Sequence, residues 1–155
     1  MISEEEAAWH AEADQTFTRL LAEAKAHPRT PRSREEGDLE GEAVQWLIGI
    51  ALRCEDHEYI EGWCVRLGRG LPPGHHMLGL AALCLGHSTR RFGRVSEEAR
   101  ALVEELAGRH RQNRDDVDAR ALSGLDDVDH FAPRHPRLAK ITRWITALWY
   151  RMHRP

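Results

Sequence analysis

Cysteine is scarce in this sequence: there are three cysteines among 155 residues, and no two of them form a CxxC pair. An odd number of cysteines without paired spacing argues against a disulfide framework. Each cysteine falls within an apolar helical pattern, where a thiol acts as a small hydrophobic side chain. We therefore expect Cys54, Cys64 and Cys84 to be free, buried thiols, as in proteins of the reducing cytoplasm.

Long apolar runs are also missing. No apolar segment approaches the ~20 residues that span a bilayer. Residues 1–6, Met-Ile-Ser-Glu-Glu-Glu, lack the basic and apolar regions of a signal peptide. The formal charge of −3 indicates no class of partner by itself. With 41% apolar and 30% charged residues, the composition is that of one ordinary globular domain, which we expect in the cytoplasm.

No segment shows the convincing alternation of a β-strand, whereas apolar residues recur at helical spacing in most of the chain. Short turns between successive helices favour antiparallel neighbours, and six to seven helices in series favour stacked hairpins. We therefore predict an all-α fold. Its fourth helix is apolar around almost its whole circumference and should form the buried centre. The predicted helices cover about residues 3–27, 39–53, 56–70, 75–92, 96–108, 115–131 and 136–152.

Charge and proline content divide the chain into three parts. Residues 1–38 form an acidic helix and a proline-containing linker, and residues 39–132 form the helical core. Residues 133–155 carry six basic residues and no acidic one, and their apolar seam predicts a C-terminal helix that packs on or extends the core.

Several stretches of the predicted core resemble HEAT repeats. The small-residue helix Gly79–His87 is similar to the first helix of such a repeat, and Glu98–Leu106 is similar to its partner. Asp126–Phe131 resembles the closing helix of small bacterial HEAT-like proteins, some of which are immunity proteins of polymorphic toxin systems. The resemblance covers about residues 40–131. It departs from the HEAT pattern at Pro72–His76, where the usual Asp-Pro turn is missing.

The resemblance implies that the protein binds a protein partner without catalysing a reaction. The sharper hypothesis is an immunity protein that neutralises a bacterial toxin domain stoichiometrically, with an acidic surface that complements a basic active site. Tyr59 and Trp63 are candidate aromatic anchors if they are exposed, although their helical spacing also fits a core position. The acidic candidates lie on the predicted sixth helix: Asp115, Asp116, Asp118, Asp126, Asp127 and Asp129.

Two other functions stay open. One is a HEAT-like adaptor or scaffold, and the other is nucleic-acid binding by the basic C-terminal helix, which also carries Trp144, Trp149 and Tyr150. The same helix is amphipathic and cationic, but it is short for a membrane anchor.

Motifs that carry catalysis or cofactors are not found. There is no nucleophile elbow, Walker A loop, zincin motif or dinucleotide fingerprint, so we expect no enzymatic activity and no cofactor. The ten histidines show no second ligand pair at a short fixed spacing, so the sequence predicts no metal site.

Overall fold

The computed structural model describes residues 4–27 and 34–134, and within these ranges the chain forms six helices and no strand. The predicted all-α class is therefore confirmed. The predicted C-terminal helix lies outside the described residues, as do residues 28–33 of the predicted linker. The helices are α1 (Glu4–Ala26), α2 (Arg34–Arg53), α3 (His57–Gly70), α4 (Met77–Phe92), α5 (Glu97–Gln112) and α6 (Arg120–Phe131).

Three helix boundaries differ from those predicted from the sequence. Helix α2 begins at Arg34 instead of residue 39, and α5 continues past Gly108 to Gln112. Helix α6 begins at Arg120 instead of residue 115, because side chains in the preceding turn hydrogen-bond to the backbone two residues ahead. The Asp118 carboxylate accepts from the Arg120 N–H at 2.9 Å. Such local bonds compete with helix formation, so the first three predicted aspartates lie in a turn.

The six described helices form two layers of three. Helices α1, α3 and α5 pack side by side in the first layer, and α2, α4 and α6 do so in the second. Successive helices are antiparallel, so the architecture is a stack of three helical hairpins, as predicted. Contacts along α2 and α4 show that helices within a layer are parallel: the Cys84 thiol donates to the Leu47 carbonyl, and Arg91 donates to the Ala51 carbonyl.

Helix α4 is the centre of the stack and packs against α2, α3, α5 and α6. Leu78 and Leu85 are fully buried, and Leu80 is 2% exposed. One part of the helix departs from the prediction that α4 is covered all round. Leu83 and His87 are only half-buried, because none of the described helices covers the outer face of the second layer.

Glycines set the close approach of α6 to α4. A Cβ atom on Gly86 would lie 2.9 Å from the Gly124 Cα, and one on Gly124 would collide with the Ala82 backbone. Only a hydrogen at these positions lets the two helix backbones meet at this distance. This close contact holds α6 parallel to α4 and places the aspartates of α6 beside its second half.

Candidate functional site

The predicted acidic surface is split, and part of it is neutralised within the molecule. Asp116 accepts two hydrogen bonds of 2.8 Å from the Arg109 guanidinium, which hold the pKa of its carboxyl below the ordinary value. Burial raises the pKa of Asp118, but hydrogen bonds from Arg120 outweigh burial and the net shift is downward. Neither carboxylate is an uncompensated charge for a partner.

Asp129 is also paired. Its carboxylate lies 3.3 Å from the guanidinium of Arg100, a buried side chain that additionally donates to the Ala132 carbonyl. This arginine ties the end of α6 to α5, an internal role that the sequence pattern did not indicate. Asp129 therefore takes part in the contact between α5 and α6, although 62% of its side chain surface stays exposed.

The remaining three aspartates do not form one patch. Asp115 is exposed in the turn before α6, where its carbonyl faces Gly74, whereas Asp126 and Asp127 lie in the second half of α6. Asp126 is exposed, and the Asp127 carboxylate is 4.0 Å from the His87 imidazole. Three of the six predicted aspartates thus lie in the turn before α6 and three on the helix itself, where Asp127 is beside the outer face of α4. Partner binding by the six aspartates stays a prediction.

The candidate anchors Tyr59 and Trp63 fasten α1 to α3. The Tyr59 hydroxyl and the Trp63 indole N–H both donate to the Asp14 carboxylate, at 2.8 and 2.7 Å. Trp63 is 4% exposed and stacks at a tilt against Phe17, so it occupies the core. Of the two positions that the sequence left open for Trp63, an exposed anchor or the core, the structure shows the core.

Alkaline titration tests this polar cluster. Burial, together with the hydrogen bond to Asp14 and its charge, raises the pKa of Tyr59 above its ordinary value of about 10. The neutral Tyr59 hydroxyl therefore stabilises the folded protein fully at pH values below about 10, and this contribution is lost as the pH rises through the pKa of Tyr59 in the folded protein. We expect Asp14→Ala to lower the Tyr59 pKa, measured as the tyrosinate absorbance that disappears in Tyr59→Phe. An unchanged Tyr59 titration in Asp14→Ala would contradict the observed contact.

An apolar groove runs along the outer face of the second layer, between α2 and α4. Its volume is about 130 Å³. Among the described residues, three large apolar side chains are exposed, and two of them, Ile48 at 40% and Leu52 at 54%, line this groove. The exposed apolar surface of the described chain is thus concentrated here. The groove is lined by Ile48, Ala51, Leu52, Leu80, Leu83, Cys84 and His87.

The sequence indicates this groove only in part. The helical spacing of Leu47, Ile48, Ala51 and Leu52 predicts that this whole stripe of α2 faces the core. Leu47 and Ala51 are buried, whereas Ile48 and Leu52 are exposed. The stripe is wider than the surface that α1, α3 and α4 cover. A usable signal was the i, i+4 spacing of Ile48 and Leu52, which places them on the same edge of the helix.

Among the residues that the structure describes, two clusters bring possible metal-ligating side chains together. In one, Glu40 lies 3.3 Å from His75 Nε2 and 3.6 Å from His76 Nδ1. His75 Nδ1 accepts from the Met77 N–H at 3.2 Å. In a neutral imidazole this bond leaves the proton on Nε2, which then donates to Glu40 and has no lone pair for a metal. This cluster is explained by hydrogen bonding.

The other cluster consists of Glu6, His10 and Cys54. Cys54 is buried, and burial raises the pKa of its thiol. A thiol that is kept protonated in this way is a poor nucleophile, so the pair of Cys54 and His10 does not have the properties of a catalytic dyad.

No protein-family model, curated protein or solved structure matches this chain. The resemblance to HEAT-repeat and immunity proteins therefore stays a prediction from the residues that carry it. Among the described helices, none combines the length and apolar character needed to cross a membrane.

Proposed function

We propose that this protein is a non-catalytic binding module that takes a protein partner into the groove between α2 and α4. The observation that carries the proposal is the exposure of Ile48 and Leu52 beside the half-buried Leu83. Exposed apolar side chains on a rigid surface are stabilised when a partner covers them, and contiguous patches of this kind commonly mark interaction sites. Burial of Leu80 and Cys84 beneath them keeps the floor of the groove fixed.

The charges beside the groove specify the chemistry of the partner. Helix α6 packs on the side of α4 opposite α2, and its Asp127 carboxylate lies 4.0 Å from the imidazole of His87, a groove residue. A matching segment presents apolar side chains to the groove and a basic residue to Asp127. A cationic surface of a toxin domain that acts on nucleic acids has this character.

We infer from the same features that the protein acts as an immunity protein. A stoichiometric complex at this face would block access of substrate to the basic site of a toxin, and it would need no catalytic residue of its own. Apolar contacts would set the lifetime of the complex, while Asp126 and Asp127 would increase the association rate. The small helical stack supplies a preorganised surface, which reduces the entropy lost on binding.

Leu52→Asp tests the groove. The partner for the test is a toxin domain sought among the products of the neighbouring genes. We expect the variant to bind this domain at least about tenfold more weakly than the unaltered protein does, mainly through faster dissociation. Asp126→Lys should instead reduce the association rate, and added salt should diminish its effect. Titration calorimetry and stopped-flow fluorescence measure these changes, and survival of cells that express the toxin measures protection.

The control variants introduce a carboxylate or reverse a charge in the same way, but on helices of the first layer. Ala101→Asp adds a carboxylate to an exposed position of α5, and Glu12→Lys reverses an exposed charge of α1. Both should bind like the unaltered protein. Equal affinity of Leu52→Asp and Ala101→Asp for the toxin domain would refute the groove as its binding site. If the unaltered protein does not bind the toxin domain, the hypothesis of an adaptor or scaffold protein is favoured instead.

A further inference from the structure

Glu6, His10 and Cys54 meet where α1 passes the end of α2. Glu6 and His10 are one turn apart on α1, and Cys54 directly follows the last residue of α2. One donor atom from each residue lies within 4.8 Å of the other two. A carboxylate oxygen, an imidazole nitrogen and a thiol sulfur therefore surround one point that lies on neither helix.

The contact between Cys54 and His10 is a hydrogen bond in this structure, and its length also equals the separation of two ligands in a tetrahedral zinc site. His10 Nε2 lies 3.4 Å from Cys54 Sγ. Zinc–nitrogen and zinc–sulfur bonds of about 2.05 and 2.3 Å at a tetrahedral angle separate the two ligand atoms by about 3.5 Å. The same geometry requires similar distances to the Glu6 carboxylate, one oxygen of which lies within 4.8 Å of both other ligand atoms.

The surroundings orient the two inner ligands. The Asp56 N–H points at Cys54 Sγ from 3.4 Å, as a donor that stabilises a metal-bound thiolate does. The His10 ring stacks on Tyr59 with 4.0 Å between centroids and 12° between planes, which fixes the ring orientation. Both ligands are at least nine-tenths buried, so the rotamers that bring them together are held by packing.

We propose that Glu6, His10 and Cys54 bind one Zn²⁺ ion that fastens α1 to the end of α2. Sulfur and imidazole ligands select zinc over magnesium or calcium, which prefer oxygen. On binding, the Cys54 thiol releases its proton to solvent and a zinc–sulfur bond forms. Three protein ligands leave the fourth position for a water molecule. The sequence did not indicate this site, because its third ligand comes from a distant part of the chain.

Cobalt and zinc titrations of the reduced, full-length protein test the proposal. With Co²⁺ alone as the probe, we expect a thiolate-to-cobalt charge-transfer band that saturates at one equivalent and disappears when Zn²⁺ is added. Zn²⁺ calorimetry should give the same stoichiometry. Cys54→Ala and His10→Gln should weaken Zn²⁺ binding by at least about 100-fold, and Glu6→Gln by about tenfold.

Cys84→Ala is the matched control, because Cys84 is also a buried thiol but lies between α2 and α4. It should retain the charge-transfer band and the affinity. Circular dichroism of each variant verifies folding, and His10→Gln keeps the test decisive if Cys54→Ala unfolds. Absence of a saturable band in the folded protein overturns the proposal. So does a site that survives Cys54→Ala and His10→Gln but is lost in His76→Gln, since that result places the metal beside Glu40.

Discussion

Gly124→Ala is expected to lower the free energy of unfolding by about 3 kcal/mol, in the upper range for overpacking a dense interface. The added methyl group would lie 2.5 Å from the carbonyl carbon of Ala82 and 3.0 Å from the amide nitrogen of Leu83. These atoms belong to the backbone of α4, so they cannot rotate aside as a flexible side chain would. The whole of helix α6 must therefore move away from α4, and this movement also breaks the close contact between Gly86 and Gly124. Chemical denaturation followed by circular dichroism measures the change.

Gly62→Ala is the control for this substitution. Gly62 is exposed in the interior of α3, and a Cβ atom there meets nothing within 4 Å. Because alanine favours the helix more than glycine does, this variant should gain about 0.5–1 kcal/mol. Equal free energies of unfolding for Gly124→Ala and Gly62→Ala would show that the backbones of α4 and α6 do not lie as close together as the structure places them.

Leu85→Ala is expected to lower the free energy of unfolding by about 2–5 kcal/mol. Leu85 is fully buried in the central helix, so truncation removes apolar contacts and leaves a cavity that rigid neighbours cannot fill. Leu83→Ala, two residues earlier on the same helix, should cost clearly less, about 1 kcal/mol. Its side chain is half-buried in the groove, where water can occupy the vacated space.

The difference between these two leucine variants is the informative measurement. Equal, large losses of unfolding free energy would show that both faces of α4 are covered, as the apolar sequence of the helix by itself suggests. The groove between α2 and α4 would then be closed, and the binding proposal would lose its site. Thermal or urea unfolding of both variants under the same conditions decides between the two arrangements.

Local signals in the sequence determined the helices and much of their packing. The helical spacing of apolar residues predicted the all-α class and the central position of α4. An aspartate directly before an apolar helical stripe favours an N-cap, and the Asp56 side chain accepts from the Tyr59 N–H as such a cap does. These predictions succeed because helical periodicity and capping depend on residues within one or two turns of each other.

Only the tertiary structure decided which polar and apolar side chains are used internally. The local sequence does not distinguish Asp116 and Asp129 from Asp126. In the structure, however, Asp116 is paired with Arg109 and Asp129 with Arg100. The edge of α2 is exposed because no other described helix packs on it, and such packing between helices is not encoded by one helix alone. Likewise, His10 and Cys54 meet only because α1 crosses the end of α2. Tertiary packing determines which residues from distant parts of the chain come into contact. The sequence by itself therefore indicated neither the proposed interaction surface nor the proposed ligand cluster.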